Sequence, residues 1–178
     1  MSVTVGNRWE VVTKPVGRAR RVPFGPFGDW LPSRFTGTIW DYAERPLRVT
    51  ISASFDGTGR VKVDSVAVER TDGESVTPED MARLQLAAVV SSIVWDATVH
   101  GPGVIAGWGR DPARAGMPPS DDELRRLARM YWQEYVSWGN PRRQVMSWFD
   151  VPRSTANRWI RKARDLYGLP GPHADEEA

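Results

Sequence analysis

The chain has 178 residues, 40% apolar and 26% charged, with 24 Lys and Arg against 22 Asp and Glu for a formal net charge of +2. That length holds one domain or two small ones with a real core, and the absence of cysteine excludes disulfides and thiolate metal sites. The longest apolar stretch, Leu84–Val99, is interrupted by Gln85, Ser91, Ser92 and Asp96, and "MSVTVGNRWEVV" lacks a basic-then-apolar leader, so no membrane partner and a cytoplasmic location are expected.

The first third reads as β-rich. Residues 7–13 suit a strand, whereas "GRARRVPFGPFGDWLP" is too rich in glycine and proline to be one. This region is also basic: Arg8, Lys14, Arg18, Arg20 and Arg21 face Glu10 alone within residues 1–22, a net of +4. "KPVGRARRVP" is either solvated surface or an arm that tracks the minor groove or the phosphates of DNA. "RFTGTIWDY" follows, and then a hairpin. Val49, Ile51, Ala53 and Phe55 alternate with polar residues. Val61, Val63, Ser65 or Val66, and Val68 continue that period, with a bulge expected near Ser65–Val66. Asp56-Gly57-Thr58-Gly59 supplies the turn, because glycine reaches positive φ at little cost.

Thr77-Pro78-Glu79-Asp80 starts a helix: a capping threonine, a first-turn proline, and two acids at the positive end of the helix dipole. It is predicted to run unbroken through Met81, Leu84, Leu86, Ala88, Val89, Ile93 and Trp95. Its apolar residues go nearly all round, which implies burial against the sheet or a second copy of the chain. Residues 1–100 are thus expected to form a small α+β domain of antiparallel strands and one long helix, which dimerises or binds a protein partner. Residues 101–119 read as a Pro/Gly-rich linker, packed locally through Ile105 and Trp108. Trp30 and Trp108 either belong to the core or anchor a partner.

Ser120-Asp121-Asp122-Glu123 is a capping box. Behind it Leu124, Leu127, Ala128, Tyr131, Tyr135 and Trp138 recur as one apolar stripe, with Arg125, Arg126, Arg129, Gln133 and Glu134 lying elsewhere. Gly139 ends this helix, and Asn140-Pro141 opens a short one, Pro141–Phe149, with Val145 and Phe149 or Met146 for the core. Asp150-Val151-Pro152 breaks the chain, since proline disfavours a helical Val151. A third helix follows, burying Ala156, Trp159 or Ile160, Ala163, and Leu166 or Tyr167. It leaves Arg153, Ser154, Asn157, Arg158, Arg161, Lys162 and Arg164 outside, and Gly168 and Pro170 stop it. Residues 170–178 read as a disordered acidic tail. Residues 140–168 carry seven cations against Asp150 and Asp165, a net of +5, which favours a polyanion.

Residues Arg142 to Arg161 resemble the helix-turn-helix superfamily, and "VPRSTANRWIRKAR" resembles the variant common in actinobacterial and phage-related regulators. Met146, Asp150, Val151, Ala156 and Trp159 fall on that pattern's mid-helix, turn and core positions. Methionine stands in place of the usual small residue and Asp150 in place of the usual turn glycine, a change that aspartate tolerates. The resemblance covers only the C-terminal third, with the trihelical domain at 120–169.

It implies a sequence-specific double-stranded DNA-binding protein, expected to be a transcriptional regulator. Arg153, Asn157, Arg158 and Arg161 are the base-edge candidates, since Arg-to-guanine and Asn-to-adenine pairs have the favourable geometry. Arg142, Arg143, Ser154, Thr155 and Lys162 are the phosphate candidates. A two-fold dimer would place half-sites about 10 bp apart or a multiple of that. The other readings are a phage- or plasmid-related adaptor that binds a host protein through the N-terminal domain, and an architectural factor in recombination or packaging. Neither His100 nor His173 sits in a catalytic or metal-ligating constellation, "DGTG" lacks a nucleotide loop's spacing, and no enzyme, cofactor or metal is expected.

Overall fold

The alternation along "LRVTISAS" sets the frame of the molecule. The computed structural model describes residues 10–99 and 117–171. Among them, β1 (Glu10–Pro15), β2 (Arg21–Pro23), β3 (Trp30–Pro32), β4 (Arg34–Trp40), β5 (Leu47–Ser54) and β6 (Lys62–Arg70) come first. The helices α1 (Pro78–Ala82), α2 (Leu86–Ala97), α3 (Asp121–Val136), α4 (Pro141–Phe149) and α5 (Arg153–Tyr167) follow. The molecule is therefore a mixture of antiparallel sheet and helices. None of these helices is long and apolar enough to cross a membrane.

β1, β4, β5 and β6 pair antiparallel in that order. Leu47, Val49, Ile51 and Ala53 point inward and are buried, while Arg48, Thr50, Ser52 and Ser54 lie on the outer face. Ser52 pairs with Ser65 but Ala53 with Val63, so Asp64 is the extra residue and the bulge falls one position before the expected pair. At the turn, the Thr58 N–H and hydroxyl each donate to Asp56 Oδ1 at 2.9 Å. Those bonds, with Lys62, hold the Asp56 carboxyl down at about 2.

Three expectations in this half are corrected. The glycine- and proline-rich segment forms a short antiparallel pair, β2 with β3. Arg21 and Pro23 are exposed there while Val22 is buried, and Phe24 packs edge-on against Phe55 at 5.7 Å. Residues 10–15 and 21–23 are thus built into sheet, joined by a loop at 16–20, rather than forming an arm, and Arg8 lies outside the described residues. Trp30 is half-buried, pairs with Val99 by an isolated bridge and carries Arg21 over its ring at 4.2 Å.

The single long helix is two. Thr77 does cap the start, and Asp80 adds the reciprocal bond of a capping box, but the Gln85 N–H donates to the Tyr42 hydroxyl at 2.9 Å and the chain leaves helical geometry at Gln85. Asp80 ties α1 to the sheet, accepting from Arg45 at 2.6 Å and Arg70 at 3.3 Å. The Thr77 N–H first, then Arg45, holds its carboxyl well below the usual range. α2 covers the inner sheet face so closely that a Cβ at Gly37 would overlap Ile93.

α3 serves two cores. Val136 belongs to the sheet core with Phe35, Ile51 and Ile93. Leu124, Leu127 and Tyr131 belong to a second core with Val145, Phe149, Ala156, Trp159 and Ala163, which Phe27 of the β2–β3 excursion joins. Trp132 and Tyr135 touch both. Arg129, Gln133 and Glu134, expected off the apolar stripe, are buried against the sheet half. Arg129 donates to the Phe27 carbonyl at 3.3 Å and lies 3.4 Å from Asp29, while Gln133 donates to the Ser91 carbonyl at 3.1 Å. The Ser91 hydroxyl donates to Glu134 at 2.9 Å. Burial pushes the Glu134 carboxyl up, partly offset by Ser91 and the Asn140 N–H.

The end of α3 departs from expectation for a related reason. Trp138, expected in the stripe, sits beyond the helix in the left-handed region (φ 66) with half its surface exposed. Its indole N–H donates to the Val61 carbonyl at 2.8 Å, and Arg60 stacks on its ring at 4.7 Å. Gly139 is favoured by space rather than by its dihedrals, since a Cβ there would displace the buried Glu134 carboxylate.

Candidate nucleic-acid interface

α4 and α5 meet at a break whose conformation follows from its residues. Asn140 caps α4 by accepting the Arg143 N–H at 2.9 Å, with Pro141 in the first turn. Asp150 takes the left-handed conformation (φ 47, ψ 55) that ends α4, and the Val151 N–H bonds the Met146 carbonyl at 3.3 Å. Val151 is buried and Pro152 is extended (φ −67, ψ 159), which starts α5.

α5 separates into two arcs. Ala156, Trp159, Ile160 and Ala163 are buried against α3 and α4, with Trp159 edge-on to Phe149 at 6.0 Å. Arg153, Ser154, Asn157, Arg158, Arg161 and Lys162 are exposed on the other arc, and Thr155 is half-buried at its margin. On α4, Arg143 is exposed and Arg142 half-buried. The expected site residues therefore fall on the α4–α5 surface. Two residues the sequence reading did not assign to the site join it: Asp165 and Leu166 line a shallow groove with Arg158, Arg161 and Lys162. Their spacing of seven and eight from Arg158 was the available signal. Leu166 was expected as a core alternative and is 58% exposed, whereas Tyr167 packs on Phe27 at 5.4 Å. Arg164 was expected outside and is half-buried, with its guanidinium over the Tyr131 ring at 6.0 Å.

The start of α5 is electrostatically unusual. Its first intrahelical bond is from the Ala156 N–H to the Pro152 carbonyl at 3.0 Å, so the N–H groups of Arg153, Ser154 and Thr155 precede the ladder. Pro152 offers no side-chain cap, and the first turn holds no acid. Donors that a helix normally covers are left open, and Arg153 adds positive charge at the positive end of the dipole, each such charge unfavourable by about 0.3–1 kcal/mol. No ion pair among the described residues neutralises Arg153, Arg158, Arg161 or Lys162. An anion at this end would satisfy the open amides and the charges together.

Fold and surface thus define an α+β chain that presents one basic helical face. No family model matches it, and searches of curated proteins and of solved structures find no similar protein.

Proposed function

We propose that the chain is a sequence-specific double-stranded DNA-binding protein, a transcriptional regulator, in which α4 and α5 act as a helix-turn-helix and α5 enters the major groove. The observation that carries this reading is the bare, acid-free start of α5 beside Arg153, on a helix whose exposed arc is basic. A phosphate there would accept the open N–H groups and the Ser154 and Thr155 hydroxyls. Arg153, Asn157 and Arg158 then face base edges, with Arg161 one turn on, while Arg142, Arg143 and Lys162 meet flanking phosphates.

The test is retardation of genomic DNA fragments by the full chain at several salt concentrations with competitor DNA. A specific complex survives competitor and weakens steeply with salt; no complex at low salt sinks the reading. Within it, Arg158→Ala relaxes base preference at one position by about 1–3 kcal/mol, whereas Arg142→Ala weakens all sequences alike. Uniform weakening by both variants removes this division of roles.

A further inference from the structure

A second basic surface exists on the other half of the molecule, assembled from strands distant in sequence. Along β1, Thr13 points inward and donates to Asp96 of α2 at 2.8 Å, so Lys14 points outward. Phe35 is buried and Arg34 exposed, which puts Arg34 on the same outer face. The registers bring the two together, with Lys14 opposite Thr36 and the Val16 N–H bonded to the Arg34 carbonyl at 3.1 Å. The β1–β2 loop is fastened there too: the Ser33 N–H donates to the Arg20 carbonyl at 2.8 Å, and the Arg20 N–H to the Ser33 hydroxyl at 3.1 Å. That loop carries Arg18 and Arg20, and β2 opens with Arg21, all three exposed.

The charge here is one-sided. In residues 11–34, five cations (Lys14, Arg18, Arg20, Arg21 and Arg34) face a single acid, Asp29, which is buried beside Arg129 at 3.4 Å. None of the five has an ion-pair partner among the described residues. Next to them, Thr36 pairs across to Ser52, two half-buried outer-face hydroxyls with no hydrogen bond among the described residues. The acids begin one strand further on, where Asp64 accepts from Ser54 at 3.2 Å and Asp56 holds Lys62 at 3.3 Å. Exposed, unpaired cations beside unoccupied hydroxyl donors fit phosphate oxygens. The Trp30 ring beside Arg21 and the Trp40 ring at the far end of β4 are each already covered by an arginine, Arg21 at 4.2 Å and Arg48 at 4.9 Å, so the surface fits a backbone rather than unstacked bases.

We propose that the Lys14–Arg34 end of the outer sheet face is a second, sequence-independent contact surface for the phosphate backbone of duplex DNA, separate from α5. The choice of duplex DNA rests on the reading of α5 above. The α2 layer covers the opposite, inner face of the sheet, and α3 bonds to α2 through Ser91. The patch therefore belongs to a different face of the chain from the one that carries the helices. It adds a salt-dependent backbone contact without adding sequence preference.

The experiment titrates the full chain onto a random duplex of about 30 bp by fluorescence anisotropy over a salt series, comparing three charge-reversal pairs. Lys14→Glu/Arg34→Glu should reduce the slope of log K against log salt by about 2, one phosphate each at about 0.9, and weaken binding at least about tenfold at low salt. Arg83→Glu/Arg125→Glu, which makes the same change in net charge elsewhere, should do much less. Circular dichroism and melting check folding, and Lys14→Gln/Arg34→Gln replaces the reversal pair if that unfolds. Unchanged affinity and slope for the sheet pair would overturn the proposal, as would equal weakening by the control pair, which would indicate only the overall field. So would binding of anionic phosphatidylserine vesicles, but not duplex, through Lys14 and Arg34. The third pair, Arg153→Glu/Arg158→Glu, separates the two claims. If it is silent while the sheet pair is not, the reading of α5 fails and the sheet surface stands; the reverse result removes the sheet surface alone.

Discussion

α3 and α5 are of nearly equal length, pack against each other, and begin in opposite ways. α3 opens with Ser120 accepting the Glu123 N–H at 3.2 Å while Glu123 accepts the Ser120 N–H at 2.7 Å, and Asp121 and Asp122 complete an acidic first turn. α5 opens with Pro152, no cap, no acid and Arg153. The flanks differ in the same sense: α3 is buried toward two cores, whereas α5 is buried toward one and leaves a basic arc in solvent. One helix satisfies its own terminus and holds the molecule together. The other leaves its terminus to be satisfied from outside.

The largest effect should come from the single stripe that holds α5. Trp159 is only 3% exposed, and Trp159→Ala should cost about 3–5 kcal/mol, read by urea denaturation. Because α3 contributes to both cores, far-UV circular dichroism and tryptophan fluorescence should lose their signals in one transition, shifted as a whole by the substitution. Two separated transitions, only one of them moved by Trp159→Ala, would break the idea that α3 couples the halves.

Next comes the buried carboxyl on α3. Burial raises Glu134 above its ordinary value of 4.5, so in the folded chain its charged form is the disfavoured one. Its contribution is neutral below the unfolded value and becomes destabilising as pH rises through the folded value. The melting temperature of the parent minus that of Glu134→Gln should therefore fall as pH rises above the ordinary value of 4.5. Asp80, held low by the Thr77 N–H and Arg45, has the opposite sign: its stabilisation is present above its ordinary value and lost as pH falls. A difference for Glu134→Gln that is flat in pH would remove burial as the cause of the shift.

What could be read in advance was local chemistry. The hairpin period, the threonine cap at Thr77, the capping box at Ser120–Glu123 and the left-handed turn at Asp150 each depend on residues a few positions apart, and each forms. The failures involve distant partners. Nothing near Gln85 announces that the Tyr42 hydroxyl will take its N–H and split the helix. Polar side chains at Arg129, Gln133 and Glu134 read as solvent-facing because their partners, Phe27, Asp29 and Ser91, lie far away in sequence. The candidate site divides the same way. The basic arc of α5 follows from a 3.6-residue period on one segment, whereas the Lys14–Arg34 patch joins two strands whose pairing only the sheet register reveals.

The smallest expected change in stability sharpens the comparison of the two helix starts most. Ser120→Ala removes the α3 cap and should cost about 1 kcal/mol with no change in DNA affinity at temperatures where the chain stays folded. Pro152→Asp should do the reverse. Position 152 already has the extended geometry of a cap residue (φ −67, ψ 159), so aspartate there can accept the open N–H groups and place a negative charge beside Arg153. That should stabilise the chain by about 0.5–1 kcal/mol, seen as a higher urea midpoint. The same carboxylate would occupy the position proposed for a phosphate, so DNA affinity should fall about tenfold, with a salt slope reduced by about 1. Stability and binding would then move in opposite directions from one substitution. If Pro152→Asp stabilises the chain and leaves DNA binding intact, the open start of α5 is a tolerated imperfection and the phosphate assigned to it must sit elsewhere.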